Sequence, residues 1–542
     1  MHADVEVDCH VLVIGSGGAG ARAALEASQY GKTVLVSRTL TGKGGCTPMA
    51  EGGYNAVLRN ADSCPMHVAD TLRGGAYLND PALVDILVRE SPERMADLIR
   101  WGAVFDVTDS REIAQRPFGG QQFPRTCYAG DRTGHEIMAT LVEQLRSRDI
   151  EQLQETTVIE LLLDGGRVCG AAMLDRNGGL LLCRADATVL ATGGGTRVYD
   201  ISTNCAAGTG DGFALGYRAG AELIDMEMVQ FHPTGAVYPY NARGRLITEA
   251  VRGEGGLLLN AEGERFMHRY DPERMELSTR DVVARAIATE ILEGRGTPHN
   301  GVYLDVSHLP APTIEERLPI MLEQFLAFGV DIRKEPMEVA PTAHHIMGGL
   351  RITPSGQTTV PGLFACGEVA GGVHGANRLG GNALADTQVF GKRAGESAGR
   401  AAKQSGAIPI SAIGAIGARL ERFRAGSVPP IAIIETLRRA MWDGAGIFRT
   451  EASLTTAGET VASLKTRTPQ ARTDRNLAEC CTVENMLEVA GLIVRGALLR
   501  RESRGAHVRK DVRTAWEPAQ SPYGHTFQSR SGEGIEQREV AA

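Results

Sequence analysis

Aromatic residues are scarce in this chain, 5 % of 542, and no apolar run reaches the ~18–20 residues needed to cross a bilayer. Positive charge is not in excess: 57 Lys and Arg stand against 65 Asp and Glu, a formal net charge of −8. Non-specific binding to nucleic acid is therefore not expected. The ten cysteines are scattered and none forms a C-x-x-C pair, so the spacings of zinc, iron–sulfur and c-type haem sites are all missing, and no metal is expected. A disulfide framework is not expected in so large a chain, and most of the thiols read as small buried hydrophobes. The first ten residues are acidic and lack the basic start and long apolar stretch of a secretory signal. That predicts a cytoplasmic protein, or one held at the cytoplasmic face of a membrane through partners. What is abundant is glycine, 66 residues, about 12 % against a usual ~7 %. It has no collagen period, so it belongs to particular loops. The remaining composition is globular, with length for two to four domains.

The glycines begin early. Val11–Ile14 reads as a short buried strand, followed by Gly15-Ser-Gly17-Gly18-Ala19-Gly20, a helical stretch to Tyr30 and a second strand at Thr33–Ser37. Strand, glycine turn, helix, strand is the opening of a dinucleotide-binding unit. Gly15 permits the tight turn, Gly17 lets the backbone approach a pyrophosphate, and Gly20 lets helix and strand pack closely. The helix N-terminus offers free N–H groups to the anion. The acid that ordinarily holds a ribose is replaced by Ser37, whose hydroxyl can also hydrogen-bond a ribose. Arg38 beside it reads equally as a contact to a 2′-phosphate or as a solvated strand end. A glycine-rich loop follows, Gly42–Gly53, containing Gly45, Cys46, Thr47, Glu51, Gly52 and Gly53.

Helix starts are predicted at Asp80-Pro81 and again at Ser91-Pro92-Glu93, the second helix stopping at Gly102. From about Thr156 to Thr192 the pattern has period two, broken by Asp164-Gly-Gly and Asn177-Gly-Gly, which reads as an antiparallel meander. It ends at Thr192-Gly193, and a helix is predicted after Gly210-Asp211-Gly212. Residues 231–342 mix signals and read as an inserted α+β domain. A strand returns at Pro361–Glu368, Gln388–Lys403 is helical, and a breaker-rich join at Gln404–Pro409 leads to amphipathic helices until Glu502. The last forty residues are polar and read as extended over the surface. A run of Arg495, Arg500, Arg501, Arg504, Arg509, Lys510 and Arg513 reads as a solvated face or a partner-docking surface. The domains expected are 1–230 and 344–403 for the cofactor, 231–343 for the insertion, 404–505 helical and 506–542 extended. Three strand ends, the last at Ala365-Cys366-Gly367-Glu368, favour an extended FAD over NAD.

QRPFGGQ (115–121), AGDRTGHE (129–136), TGDG (209–212), QFHPTG (230–235), TEAVRGEGG (248–256), RDVVAR (280–285), PTAHHIMGG (341–349), HGANRLGGNAL (374–384) and ESRGAH (502–507) together resemble the flavoprotein subunits of succinate dehydrogenase and fumarate reductase, in family order. The resemblance implies an α/β fold: a Rossmann-like FAD-binding domain, an inserted α+β capping domain and a C-terminal helical domain. It implies interconversion of fumarate and succinate by hydride transfer at flavin N5. The dicarboxylate contacts fall on His232, Thr248, His344 and Arg378, with Phe118 close by. The proton donor falls on Arg280, supplied through Glu249 and Arg252. FAD contacts fall on Gly15–Gly20, Ser37, Asp211, Glu368, Ala383 and Leu384.

The residue types suit the task. A guanidinium fork matches a carboxylate, and clustered donors stabilise the charge that hydride addition places on the far carbon and its carboxylate. Arginine is an unusual acid, with a pKa above ~12, and Glu249, Arg252 and Arg280 by themselves also read as a structural ion-pair network. His345 is expected to face away from His344, as neighbours in a strand do. Asp131 and His135 read as a helix cap and first-turn residue.

The sequence departs from the family at one place. The family's flavin-linking histidine stands in an R-S-H-T string, where this chain has Gly44-Gly45-Cys46-Thr47. Non-covalent FAD is predicted, with a Cys46 thioether the lesser alternative. A flavin without that substituent is more reducing, which favours fumarate reduction. With no iron–sulfur spacing in the chain, a separate iron–sulfur subunit is the expected partner, with a membrane-anchor or thiol-handling subunit beyond it. The competing readings are an L-aspartate oxidase, a relative acting on a substituted succinate, and a flavin-fold binding or assembly protein without turnover.

Overall fold

A computed structural model describes residues 5–148, 150–401, 406–530 and 535–539. The apolar run before the glycine turn becomes strand Val5–Ile14, and the alanine-rich stretch after it becomes helix Gly18–Ala27, buried along its whole length. Strand Thr33–Val36 pairs parallel to the first, Val13 beside Leu35. A seven-stranded sheet grows from this unit in the order 151–153, 33–36, 5–14, 180–190, 167–174, 157–164. The predicted meander supplies its antiparallel half. Strand Leu180–Leu190 joins the two halves: its first residues pair with the meander, and its last three pair parallel with Leu363–Ala365. Parallel strands covered on both faces must be apolar throughout, and Val11, Leu12 and Val13 are fully buried.

Between these segments lies a four-stranded antiparallel sheet of Val229–Tyr238, Met337–Ile346, Val302–Asp305 and Leu257–Leu259. It has its own core, including Val251, Leu258, Phe266, Ile287, Leu304 and Phe325. Chain order and fold class therefore agree with an α/β cofactor-binding fold interrupted by an insertion. Helices Ile410–Arg424, Pro430–Ala445, Glu451–Lys465 and Leu477–Leu499 follow. The expected join at 404–409 lies partly outside the described residues.

Three expectations are corrected. Residues 81–100 form one helix rather than two. Pro92 removes the N–H that would bond to the Val88 carbonyl, but the Ser91 hydroxyl donates to that carbonyl at 3.2 Å. One buried stripe, Leu83, Leu87, Met95 and Leu98, runs past the proline. Next, the C-terminal tail is not laid over the surface. Strand Tyr523–Gln528 pairs with Leu223–Ile224 in a five-stranded sheet, and Thr526 and Gln528 are buried. Finally, the basic run is not one face. Arg500, Arg504 and Arg509 are buried. Arg500 bonds Glu227 at 2.7 Å, Glu502 at 2.8 Å and Asp225 at 3.1 Å. Arg504 donates to the backbone carbonyls of Ala76, Tyr77 and Tyr523. These arginines fasten the tail to the body of the protein.

Candidate active site

One cavity of about 700 Å³ runs from the glycine turn to the inserted sheet. At its first end the three glycines of the turn differ in what a side chain would meet. A Cβ on Gly15, which has φ +108°, would lie 2.3 Å from the Ala191 carbonyl oxygen. A Cβ on Gly20 would lie 1.7 Å from the Gly15 carbonyl oxygen. On Gly17 it would meet nothing nearer than the Thr47 hydroxyl at 3.5 Å. Gly15 and Gly20 thus hold strand and helix together, and Gly20 does not line the cavity. Gly17, Gly18 and Ala19 do, so the emptied volume lies at the helix N-terminus, where an anionic pyrophosphate is favoured.

Ser37 ends the second strand and shares a hydrogen bond with Ser16 at 2.7 Å. Arg38 is neither solvated nor free: it pairs with Asp211 at 3.2 Å and donates to the Thr209 hydroxyl. Asp211 also accepts from Asn485 at 2.6 Å. Thr47 accepts the Gly18 N–H at 2.9 Å. Gly45, Cys46, Glu51, Gly52, Gly53, Thr192, Gly193, Glu368, Ala383 and Leu384 all line the cavity. The Thr192 hydroxyl and Glu51 Oε2 are buried there without a protein partner, as expected of groups that face a polar ligand. Burial pushes the Glu51 carboxyl up to about 8, with Asp131 adding repulsion, and it pushes Glu368 up to about 7. Asp131 caps no local helix. Its carboxylate accepts the N–H groups of Ile320 and Met321, which open helix Pro319–Ala327 of the insertion.

At the other end are His232, Thr248, Arg280, His344 and Arg378, all in the cavity wall with Phe118 and Glu249. His232 lies on strand Val229–Tyr238 and His344 on the paired strand, their rings 5.1 Å apart. The Thr234 N–H donates to His232 Nδ1 at 3.3 Å, so the neutral ring carries its hydrogen on Nε2. Burial and the surrounding arginines hold both imidazoles well below their usual pKa; the histidines act as neutral donors. His345 is buried beside Glu368, Nδ1 to Oε1 3.5 Å, turned away from His344 but still touching the cavity. Thr248 caps helix Glu249–Gly253, and Arg280 opens helix Arg280–Leu292.

Arg280 Nε bonds Glu249 Oε2 at 2.8 Å, and Arg252 Nη2 lies 3.9 Å from Glu249 Oε1. Burial alone would raise the Glu249 carboxyl, but Arg280, Arg252 and the Gly119 N–H at 2.8 Å keep it below its usual value. Arg252 stands behind Glu249, outside the cavity wall, and its Nε and Nη2 lack hydrogen-bond partners. Burial, reinforced by Arg280, brings the Arg378 guanidinium down to about 9, and its Nε has no partner.

Gln230 was missed by sequence reasoning. Its side-chain oxygen accepts from Arg280 at 3.3 Å and Arg378 at 3.2 Å, while its amide donates to Asn377 and the Arg378 carbonyl. Its position two residues before His232 on one strand was the available signal. Thr203, 2.7 Å from His344 Nδ1, and Asn204, which bonds the His344 carbonyl, come from a loop with no such signal.

The family model for FAD binding domains matches residues 10–384, and that for the fumarate reductase flavoprotein C-terminus matches 434–532. The chain belongs to the fumarate reductase and succinate dehydrogenase flavoprotein family. Members are FAD-dependent oxidoreductases, and so is this protein. A fumarate reductase (CoM/CoB) subunit from Methanothermobacter marburgensis is 54 % identical over 519 residues, 93 % of this chain and 94 % of that one. A variant Escherichia coli quinol fumarate reductase flavoprotein superposes with TM-score 0.92 at 36 % identity, covering 99 % of this chain and 97 % of that one. The Mycobacterium smegmatis Sdh1 structure gives TM-score 0.84 at 40 % identity, covering 99 % and 94 %. Among the described residues, no helix is long and apolar enough to cross a membrane.

Proposed function

We propose that the protein works at the cytoplasmic face, interconverts fumarate and succinate with fumarate reduction favoured, and exchanges electrons with a separate iron–sulfur subunit. The observation that carries this reading is the single cavity joining an anion-receptive helix N-terminus to His232, Thr248, Arg280, His344 and Arg378. FAD bound along the first end supplies the two-electron hydride chemistry. Arg280, Arg378 and Arg252 outnumber Glu249, so the second end suits a dianion. Arg378 grips one carboxylate, its unpartnered Nε among the available donors. The Nε2 hydrogen of His232, His344 and the Thr248 hydroxyl reach the other oxygens and stabilise charge moving onto the far carboxylate. Arg280 delivers the proton, and Glu249 refills it from Arg252 after the 3.9 Å gap closes.

FAD is proposed to be non-covalent. The Cys46 thiol donates toward Cys205 and is pushed up further by burial, which makes it a poor nucleophile. The relatives named as a fumarate reductase component and as quinol fumarate reductase support partner proteins, an iron–sulfur subunit first, then a membrane-anchor or thiol-handling subunit beyond.

The test uses the purified chain. Acid precipitation should leave a yellow supernatant; a yellow pellet means a covalent bond. Fumarate and succinate should perturb the flavin spectrum. A response to aspartate with peroxide formation would instead indicate an L-aspartate oxidase, and a response only to substituted succinates a relative acting on those. Bound FAD that no dicarboxylate perturbs would mark a protein without turnover and overturn the proposal.

A further inference from the structure

The cavity wall also holds two thiols with no part in dicarboxylate chemistry. Cys46 comes from the loop after strand Thr33–Val36. Cys205 comes from the loop before helix Asp211–Arg218. Their sulfurs lie 3.8 Å apart, and both side chains are half-buried and line the cavity. We propose that Cys46 and Cys205 form a thiol–disulfide exchange site for small-molecule disulfides, Cys205 attacking and Cys46 resolving.

The surroundings of the two sulfurs differ in the way such a pair requires. The Cys46 S–H donates to Cys205, and the backbone N–H groups of Ala207, Gly45 and Gly208 also turn toward that sulfur. Together they outweigh burial and bring the Cys205 thiol down to about 6. The same hydrogen bond, with burial, pushes Cys46 up. At neutral pH the site therefore holds one thiolate and one thiol. The thiolate is the nucleophile, and a pKa near ambient pH balances its abundance against its reactivity. Cys9 and Cys183 provide a contrast within the same chain. Their sulfurs are 3.7 Å apart on neighbouring strands, away from the cavity; Cys183 is buried, and Cys9 is pushed up by its neighbour and by burial. Equal spacing without the N–H groups gives an inert pair.

The exchange balances. The Cys205 thiolate attacks one sulfur of R–S–S–R, forming a mixed disulfide and expelling RS⁻. Cys46 loses its proton to solvent and attacks the Cys205 sulfur, expelling the second RS⁻ and closing the Cys46–Cys205 bond. Two protein thiols are oxidised and one small disulfide is reduced to two thiols. Closing the bond brings the sulfurs from 3.8 Å to about 2 Å, a movement shared between two loops, one of them holding Gly44 and Gly45.

The test uses FAD-loaded enzyme, reduced, desalted, and incubated anaerobically with glutathione disulfide. Peptide mass mapping should find a Cys46–Cys205 disulfide, two glutathione molecules released per chain, and Cys9 and Cys183 unchanged. Cys46→Ser should trap a glutathionyl group on Cys205, and Cys205→Ser should trap none on Cys46. In the wild type, iodoacetamide should alkylate Cys205 with a midpoint near pH 6, shifted upward in Cys46→Ser. Wild-type enzyme that forms no 46–205 disulfide, or in which Cys205 alkylates only above pH 8, overturns the proposal. So does Cys205→Ser carrying glutathione on Cys46 as fast as Cys46→Ser carries it on Cys205.

Discussion

Alanine at position 17 isolates the contact between backbone and cofactor from the packing that surrounds it. Gly17 has φ −69° and ψ −174°, an extended conformation open to any residue. The added methyl meets only the Thr47 hydroxyl at 3.5 Å, an ordinary contact. The apo protein should therefore fold as before, and restricting the unfolded chain should stabilise it by about 0.4–1 kcal/mol. The methyl projects into the cavity, over the N–H groups that would meet the pyrophosphate. Pushing one phosphate oxygen out of reach forfeits one hydrogen bond to a charged group, about 1.5–3 kcal/mol. FAD should then bind roughly 10- to 150-fold more weakly. Quenching of FAD fluorescence on titration into apoenzyme measures this, with apo melting temperature as the control. Gly20→Ala is the contrast, because its methyl would lie 1.7 Å from the Gly15 carbonyl oxygen and should lower stability and FAD binding together. Gly17→Ala with unchanged FAD affinity would refute the placement of the pyrophosphate.

Three further outcomes are expected. The Glu51 carboxyl, ordinarily near 4.5 but raised to about 8 in the fold, keeps its proton between those pH values while the unfolded chain loses it. Its effect is therefore to lower stability progressively from pH 4.5 to 8. The melting temperature of Glu51→Gln relative to wild type should rise across that window, and a flat difference would contradict the assignment. Asp131→Ala removes the cap that reaches helix Pro319–Ala327 across the insertion boundary. It should cost about 1 kcal/mol and speed proteolysis near that helix; unchanged cleavage would count against the contact. Arg500→Met leaves Glu227, Asp225 and Glu502 facing one another without their cation. A loss of about 3–5 kcal/mol is expected, and a thermal shift small enough to match an exposed arginine would disprove the network.

Legibility followed the range of the interactions. The glycine turn is a local device, so its spacing announced strand, helix and anion site together. His232, Thr248, Glu249, Arg280, His344 and Arg378 were readable because they stand in strings that the family shares. Pro92 misled because the hydroxyl that compensates for it, on Ser91, is a tertiary detail of one helix turn. The arginines of the tail misled because their partners, Asp225, Glu227 and the carbonyls of Ala76 and Tyr77, lie hundreds of residues upstream. Cys205 carried no local signal; only folding sets it against Cys46. Gln230 was in plain view beside His232, but its role depends on two guanidiniums brought from positions 280 and 378.

The continuity of the cavity has a thermodynamic consequence. No wall separates the glycine-turn end from the arginine end, so each ligand forms part of the other's binding surface. Whatever factor bound FAD adds to dicarboxylate affinity, dicarboxylate must return to FAD affinity. Saturating succinate or fumarate should therefore hold the cofactor in place, and the protein should be most prone to lose its flavin when its small substrate is exhausted.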